Sequence, residues 1–313
     1  MSFTNEIKQE IAYNELKDCC AKAELIALLQ YNSSLEIRNR QYNLLVKSEN
    51  PTTLKRVVKL YKKLYKGDTE LVVSQKTKLK RNNVYSFYIY EDALKLLEDL
   101  GLYSKSKGFL DNPKKELIKK DCCKRAYVAG CFMSYGHCNP PSKTSYHLEI
   151  TCDSEERANY LIDILNKFNI NAKTTIRRNK YVVYLKKADV ISDFLRLVGA
   201  QESMMNFENQ RISRDVVNSI NRVDNCLIAN NEKSMKASNK IIEEIDYLKE
   251  KNKLNQLDEK VIKALDARYK FPDLSLSELC YAYEDEYGEK ISKSGLKHRL
   301  NKIDELYNEI KGE

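Results

Sequence analysis

The feature that most constrains the fold is an internal repeat, which begins in both copies with a pair of adjacent cysteines. Residues 18–29 and 121–132 align without a gap, and both segments start with Asp-Cys-Cys. Each segment holds good helix formers and no proline, so we predict a helix at the start of each copy. Two copies are too few for a solenoid and predict one domain with pseudo-two-fold symmetry.

Both copies continue with the same order of predicted elements: strand, helix, strand, strand, helix. One further short strand is expected before or after the first strand. In the first copy the elements are predicted at 41–47, 51–65, 70–74, 84–90 and 92–100. In the second copy they are predicted at 145–152, 155–168, 173–177, 181–186 and 190–198. These patterns predict an α+β fold whose two halves span residues 1–103 and 104–205.

A small all-α unit is predicted at residues 257–313. Ser275 and Glu278 form a capping box at the start of one helix, and Gly288 marks a turn before the last helix. Two helices joined by such a turn are typical of a helix-turn-helix, which we predict at about residues 275–308.

The candidate DNA contacts of this unit are basic and hydroxyl side chains: Ser275, Lys293, Ser294, Lys297, His298, Arg299 and Lys302. The first turns of a recognition helix usually meet the bases, so Lys297, His298 and Arg299 are the strongest candidates for base contacts. The acidic run at 284–289 predicts either a polarised unit or a modest affinity for DNA, and we favour the second.

A polar connecting helix, predicted within residues 206–256, offers three less specific candidates: Arg214, Asn221 and Arg222. A solvated helix explains such a polar face equally well. The asparagines of this helix are poor helix formers and need a reason. We favour hydrogen bonds within the protein, while contacts with DNA stay open as the alternative.

The nine cysteines are expected to be free thiols in a reducing compartment. Adjacent cysteines cannot easily bond to each other or share one metal, and the chain contains no Cys-x-x-Cys. A second group, made of Cys131, His137, Cys138, His147 and Cys152, fits no zinc spacing. The cysteine pairs are therefore interpreted as buried helix residues, and no metal and no cofactor are predicted.

The composition indicates a folded protein with a polyanionic partner. Hydrophobic residues make up 42% of the chain and charged residues 32%, which is typical of a globular fold. No apolar run is long enough to span a bilayer and the first residues are polar, so we expect no membrane partner, no signal peptide and a cytoplasmic, nucleoid-associated location. The net charge of +9 favours a polyanionic partner, although Lys-rich compositions also arise without one. Together with the predicted helix-turn-helix, it leads us to expect double-stranded DNA as the partner.

The helices that open the two copies resemble the motif helices of LAGLIDADG homing endonucleases, at residues 25–33 and 128–136. Small residues in them, Ala27, Ala129 and Gly130, let two helices approach closely. Longer stretches are similar to the WhiA family: residues 1–3, 19–29, 48–50, 146–150, 193–200, 207–209, 218–230 and 293–303.

This resemblance implies a degenerate, pseudo-two-fold LAGLIDADG homing-endonuclease-like domain joined to a C-terminal helix-turn-helix domain. It implies a sequence-specific regulator of transcription, involved in cell division, chromosome segregation or sporulation. Some relatives act with an iron–sulfur protein of the WhiB type, so a WhiB-type or other regulatory protein is a second expected partner. The chain departs from the family at the end of the first motif helix, where Tyr31-Asn32-Ser33 stands in place of a common glycine.

The acidic residue of the LAGLIDADG motif is missing from both helices, because its position falls at Asn32 and Tyr135. An amide and a protonated phenol lack the charge that holds divalent metals in a nuclease. Asp18 and Asp121 each lie about 21 Å away along the helix. A carboxylate on a nearby strand, such as Glu149, could supply one ligand but not a matched pair. We therefore predict no enzymatic activity; an active endonuclease and an RNA-binding or scaffold protein are the alternatives.

Overall fold

The computed structural model describes residues 2–38, 41–67, 69–75, 83–90, 92–143 and 145–312. It divides into two compact units, Met1–Ser213 and Arg214–Glu313. The division falls inside one long helix, and each unit has its own hydrophobic core. None of the described helices has the length and apolar character that a membrane span requires.

The N-terminal unit opens with a helix that the sequence analysis did not predict. Helix α1 (Phe3–Tyr13) is capped by the side chain of Ser2 and buries Phe3, Ile7 and Ile11. The spacing of these three residues by four is a helical pattern. The pattern was therefore available in the sequence, although polar residues surround it.

The two repeat copies follow in order, and the predicted sequence of elements is confirmed. The first copy contains α2 (Asp18–Asn32), β1 (Ser33–Arg38), β2 (Gln41–Ser48), α3 (Pro51–Leu64), β3 (Thr69–Gln75), β4 (Asn83–Ile89) and α4 (Ala93–Asp99). A ribbon of β5 (Tyr103–Ser104) and β6 (Gly108–Phe109) and a short 3-10 helix (Lys115–Ile118) lead to the second copy. That copy contains α5 (Asp121–Tyr135), β7 (Gly136–Cys138), β8 (Leu148–Cys152), α6 (Glu155–Asn166), β9 (Lys173–Arg177), β10 (Lys180–Leu185) and α7 (Ala188–Leu197).

Each copy forms a four-stranded antiparallel sheet, and the two sheets have the same strand order. The orders are β1-β2-β4-β3 and β7-β8-β10-β9. The expected additional strands are β1 and β7, which directly follow the motif helices. Central pairs such as Leu44 with Ile89 and Ile150 with Val183 turn apolar side chains into the core. The equal topology confirms the pseudo-two-fold relation that the repeat predicted.

Helices α2 and α5 pack against each other at the centre of this unit. Most of α2 is buried, so protein surrounds this helix and no face of it is solvated. At the closest approach a Cβ on Gly130 would lie 2.7 Å from the Cβ of Ala27 and 2.7 Å from the carbonyl oxygen of Glu24. Ala27 and Gly130 hold equivalent positions in the two copies, so the small residues permit contact on the pseudo-dyad.

A buried ion pair joins α2 to α3. Both side chains are almost inaccessible, Glu24 at 1% exposure and Arg56 at 2%. The guanidinium donates from Nε to Glu24 Oε1 at 2.7 Å and from Nη2 to Oε2 at 3.1 Å. Its Nη1 also donates to the carbonyl oxygens of Ala12 and Asn14, both at 2.9 Å. Arg56 therefore connects α1, α2 and α3 through one planar group.

The C-terminal unit is helical, as predicted. Its elements are the end of α8 (Gln201–Glu250), a 3-10 turn (Leu254–Gln256), α9 (Glu259–Lys270), α10 (Leu276–Tyr287) and α11 (Lys293–Lys311). The capping box of Ser275 and Glu278 is present, and Gly288 ends α10 with a φ of 65°, a conformation that favours glycine. Leu279 and Tyr283 from α10 pack in one core with Leu296, Leu300 and Ile303 from α11.

We predict that Gly130→Ala lowers the free energy of unfolding by about 1–3 kcal/mol, because its Cβ would overlap backbone as well as side-chain atoms. Gly295→Ala is a matched control within a helix, since its Cβ would meet only side-chain atoms at 3.2 Å or more. The control should be neutral or stabilise by up to about 1 kcal/mol. Urea unfolding followed by circular dichroism measures both, and equal stability of the two variants would contradict the packing argument.

For the buried ion pair, Arg56→Met should lower the free energy of unfolding by about 3–5 kcal/mol, because it leaves a buried carboxylate without a partner. The double variant Glu24→Met/Arg56→Met should lose less than Arg56→Met alone, since no buried charge remains. The same unfolding titration compares the three proteins. Losses that simply add in the double variant would show that the pair is not coupled.

Candidate nucleic-acid interface

The outer face of α11 carries most of the predicted DNA contacts. Ser292 caps the helix, and its Oγ accepts a hydrogen bond from the backbone N–H of Gly295 at 3.1 Å. The exposed residues of the first three turns include Lys293, Ser294, Lys297, His298 and Asn301. In the described part of the chain, neither Lys293 nor Lys297 forms a salt bridge. The start of α11 therefore presents two lysines and one imidazole to solvent.

Arg299 corrects one of the sequence predictions. Its Nη1 donates to the hydroxyl oxygen of Tyr283 at 2.7 Å and to the carbonyl oxygen of Lys260 at 3.4 Å. The guanidinium also lies 5.5 Å from the centre of the Tyr283 ring. The side chain leaves the helix beside the buried Leu300 and turns toward α9 and α10. Arg299 thus holds the three helices together and does not share the outer face with Lys297.

Two further predicted contacts have partners inside the unit. The Oγ of Ser275 accepts from the backbone N–H of Glu278 at 3.3 Å, so its main role is to cap α10. The Nζ of Lys302 lies 3.7 Å from the carboxylate of Asp258. Both residues are half-buried. The candidate interface that the geometry favours is therefore narrower than the predicted one and centres on Lys293, Ser294, Lys297 and His298.

Two acids of the run before α11 are paired with lysines of α9. Glu286 lies 2.7 Å from Lys270, and Glu289 lies 3.1 Å from Lys263. The Lys263 amine holds the pKa of Glu289 below its usual value. These acids are thus compensated within the unit, whereas the lysines at the start of α11 are not.

The middle of α8 carries the three less specific DNA-contact candidates and most of the helix's asparagines. Arg214 is half-buried, and both Asn221 and Arg222 are exposed. The asparagines of this stretch are exposed as well: Asn218, Asn221, Asn225, Asn230 and Asn231. The Nδ2 of Asn230 donates to Cys226 Sγ, one turn earlier on the same helix, at 3.6 Å, so this asparagine makes a hydrogen bond within the protein. Large apolar side chains are also exposed along this helix: Val216, Ile220, Val223 and Leu227.

The ends of the motif helices hold no carboxylate at the positions that the LAGLIDADG motif would give. The Nδ2 of Asn32 donates to the carbonyl oxygen of Leu28 at 2.8 Å and to Ser134 Oγ at 2.7 Å, so the amide links the two helix ends. Tyr135 is 44% exposed, and the amine of Lys180 lies 5.6 Å from its ring centre. Asn32 therefore provides hydrogen bonds, and Tyr135 provides a packing contact for Lys180.

Two carboxylates near these helix ends, Glu149 and Glu49, lie beside basic side chains. Glu149 is held by His147 Nε2 at 2.9 Å and by Arg177 at 3.2 Å. Glu49 lines the cleft that also contains Asn32 and Tyr135, but Lys8 and Lys47 line the same cleft. Burial lowers the pKa of Lys8 to about 8, so its amine keeps most of its charge at neutral pH. One carboxylate and two amines therefore line this cleft, and the Lys47 amine also lies 4.0 Å from the carboxylate of Glu36.

The structure brings the two cysteine pairs together, which the sequence analysis did not anticipate. The Sγ atoms of Cys19 and Cys20 lie 3.9 Å apart, those of Cys122 and Cys123 lie 4.0 Å apart, and all four lie within 4.8 Å of one another. Burial raises the pKa of both Cys20 and Cys123 to about 12. The interpretation as buried residues is confirmed for Cys20 and Cys123 and is wrong for Cys19 and Cys122, which are exposed. The sequence analysis considered each pair alone, whereas the repeat brings the starts of α2 and α5 together. We call these residues the four-cysteine cluster.

The second group of potential ligands does not assemble. His147 bonds to Glu149, and the Sγ of Cys152 lies 3.2 Å from the hydroxyl of Tyr31. Within the described ranges, the four-cysteine cluster is the one group of three or more His, Cys, Asp or Glu side chains gathered closely enough to hold a metal ion.

Three family models cover most of the chain. The model of the WhiA N-terminal LAGLIDADG-like domain matches residues 18–103, and that of the WhiA LAGLIDADG-like domain matches residues 124–217. The model of the WhiA C-terminal HTH domain matches residues 220–307. These matches agree with the two repeat copies and with the helical C-terminal unit.

Curated relatives and solved structures match over nearly the full length. The "Probable cell division protein WhiA" of Bacillus subtilis (strain 168) is 42% identical over 311 residues, which cover 99% of this chain and 98% of the relative. Its counterpart in Bacillus cytotoxicus is 41% identical over the same coverage. Full-length WhiA from Thermatoga maritima, at 22% identity and a TM-score of 0.61, covers 99% of both chains and shares the fold. On its sequence, its repeat and its domain matches, this chain belongs to the WhiA family.

Proposed function

We propose that this protein is a sequence-specific regulator of transcription that reads double-stranded DNA with α11 and does not cleave it. The observation that carries the proposal is the outer face of α11, where Lys293, Lys297 and His298 are exposed beside a capped helix start. The helix-turn-helix match supports the same function. Relatives described as cell division proteins support a role in cell division, with chromosome segregation or sporulation as related outputs.

In this proposal, successive turns of α11 contact different parts of the DNA. Backbone N–H groups and the positive end of the helix dipole favour phosphate near Ser294 and Lys293. One turn later, Lys297 and His298 can donate hydrogen bonds to base edges in the major groove. Since Arg299 is used inside the unit, direct base contact falls to Lys297 and His298.

The N-terminal unit offers a second basic surface. Every residue of the edge strand β9 is exposed, including Lys173 and Arg177 at its two ends. Lysine and arginine on an exposed strand suit phosphate contacts, which strengthen binding without reading sequence. We propose that this unit grips the duplex and thereby adds to the affinity of the helix-turn-helix.

We also propose that the chain binds a regulatory protein, of the WhiB type or another class. The exposed apolar residues of α8 support it: Val216, Ile220, Val223 and Leu227. Their spacing of four, three and four residues aligns them on one helix face, which is how helices present an apolar surface to a partner.

We predict that Lys297→Ala/His298→Ala weakens binding to the preferred duplex by about 2–6 kcal/mol, if each side chain makes one good base contact. Lys302→Ala is the matched control on the same helix, since its amine is already near Asp258, and it should change affinity little. Fluorescence anisotropy on a duplex chosen by genome-wide mapping of bound DNA measures both. Unchanged binding by the double variant would refute α11 as the reader.

We predict no cleavage of that duplex in magnesium or manganese, because the motif positions supply no carboxylate. A supercoiled plasmid that carries the preferred site reports single nicks with high sensitivity. Glu49→Gln is the informative variant, since Glu49 is the carboxylate in the cleft with Asn32 and Tyr135. Metal-dependent nicking that the wild type shows and this variant lacks would establish a nuclease instead.

A further inference from the structure

The four-cysteine cluster lies where the two repeat copies meet. Cys19 and Cys20 are the second and third residues of α2, and Cys122 and Cys123 hold the equivalent places in α5. The pseudo-two-fold relation therefore brings two identical pairs to one point. Such symmetry presents four thiols of the same kind to a single centre.

The distances suit one tetrahedral metal ion. Zinc binds thiolate sulfur at about 2.3 Å, so four sulfurs at the corners of a tetrahedron lie about 3.8 Å apart. The distances within the pairs are 3.9 Å and 4.0 Å, and no pair of the four atoms is more than 4.8 Å apart. The largest separation therefore has to shorten by about 1 Å to complete the tetrahedron. The bridging sulfides of an iron–sulfur cluster need more space between the cysteines than this.

Helix ends and nearby lysines offset part of the negative charge that a site of four thiolates carries. Each pair lies in the first turn of a helix, where the helix dipole favours anionic sulfur. The neighbouring carboxylates are paired with lysines: Asp18 lies 3.3 Å from Lys63, and Asp121 lies 2.5 Å from Lys124. These lysines reduce the repulsion that four thiolates would otherwise meet.

The cluster has a closed floor and an open side. Cys20 and Cys123 are buried against Leu16, Ala23 and Ala126, which offer no competing ligand. Cys19 and Cys122 reach the surface. A metal ion can therefore enter from solvent and be shielded once it is bound.

We infer that Cys19, Cys20, Cys122 and Cys123 bind one zinc ion as a structural tetrathiolate site. Four protein ligands leave no open coordination position, so the ion would stabilise the fold and not catalyse a reaction. Binding exchanges the protons of the four thiols for Zn²⁺, which leaves a complex of charge −2 and involves no oxidation. The ion ties the start of α2 to the start of α5 and so joins the two repeat copies.

The test begins with full-length protein that is reduced and freed of metal. Titration with Co²⁺ should give the intense visible bands of tetrahedral thiolate cobalt, which saturate at one ion per chain and vanish when Zn²⁺ is added. X-ray absorption at the zinc edge should then show sulfur ligands alone, at about 2.3 Å. A titration without saturation at one ion per chain, or a zinc shell of nitrogen and oxygen, overturns the inference.

Variants assign the ligands. Cys20→Ser/Cys123→Ser should lose stoichiometric Co²⁺ binding, and zinc should no longer raise its melting temperature. Cys226→Ser/Cys280→Ser removes the same number of thiols outside the cluster and should behave like the wild type. Equal binding by both double variants overturns the assignment. If the first variant does not fold, the wild-type titration and ligand spectrum still decide. Protein isolated under reducing conditions with disulfides inside the cluster and no metal uptake also overturns it.

Discussion

The close approach of α2 and α5 is the constraint on which the N-terminal unit depends. Gly130 and Ala27 touch at equivalent positions of the two copies, and a larger side chain at Gly130 would overlap the backbone of α2. Once these helices are in contact, each sheet has a fixed helix to pack on, and β1 and β7 continue directly from the helix ends. The buried pair of Glu24 and Arg56 then attaches α1 and α3 to the same centre.

That contact also decides what lies at the two ends of the helix pair. At the start of the helices it collects four thiols, and at the other end it joins Asn32 to Ser134 by a hydrogen bond. The positions where LAGLIDADG nucleases carry carboxylates are thus neutral here, while a site with potential for metal binding lies at the opposite end. The same pseudo-two-fold symmetry thus places a neutral hydrogen bond at one end of the helix pair and four thiols at the other.

The sequence predicted the order of elements in both copies and the capping box of Ser275, because these depend on local periodicity and local hydrogen bonds. It did not predict the direction of Arg299, since that depends on the hydroxyl of Tyr283 from another helix. It also missed the four-cysteine cluster, whose members are about a hundred residues apart in sequence. Both features depend on contacts between residues that are distant in the sequence, and no local sequence pattern encodes such contacts.

The acidic run before α11 illustrates how pairing alters a prediction from net charge. When charges are counted along the sequence, the acidic residues at 284–289 predict a modest affinity of this unit for DNA. In the structure, Lys263 and Lys270 of α9 compensate two of these acids on a different helix from the candidate interface. Lys293 and Lys297 are exposed, and neither forms a salt bridge with another residue that the structure describes. The electrostatic potential at the start of α11 therefore depends on which charges are paired and on where the unpaired ones lie, and net charge along the chain gives neither.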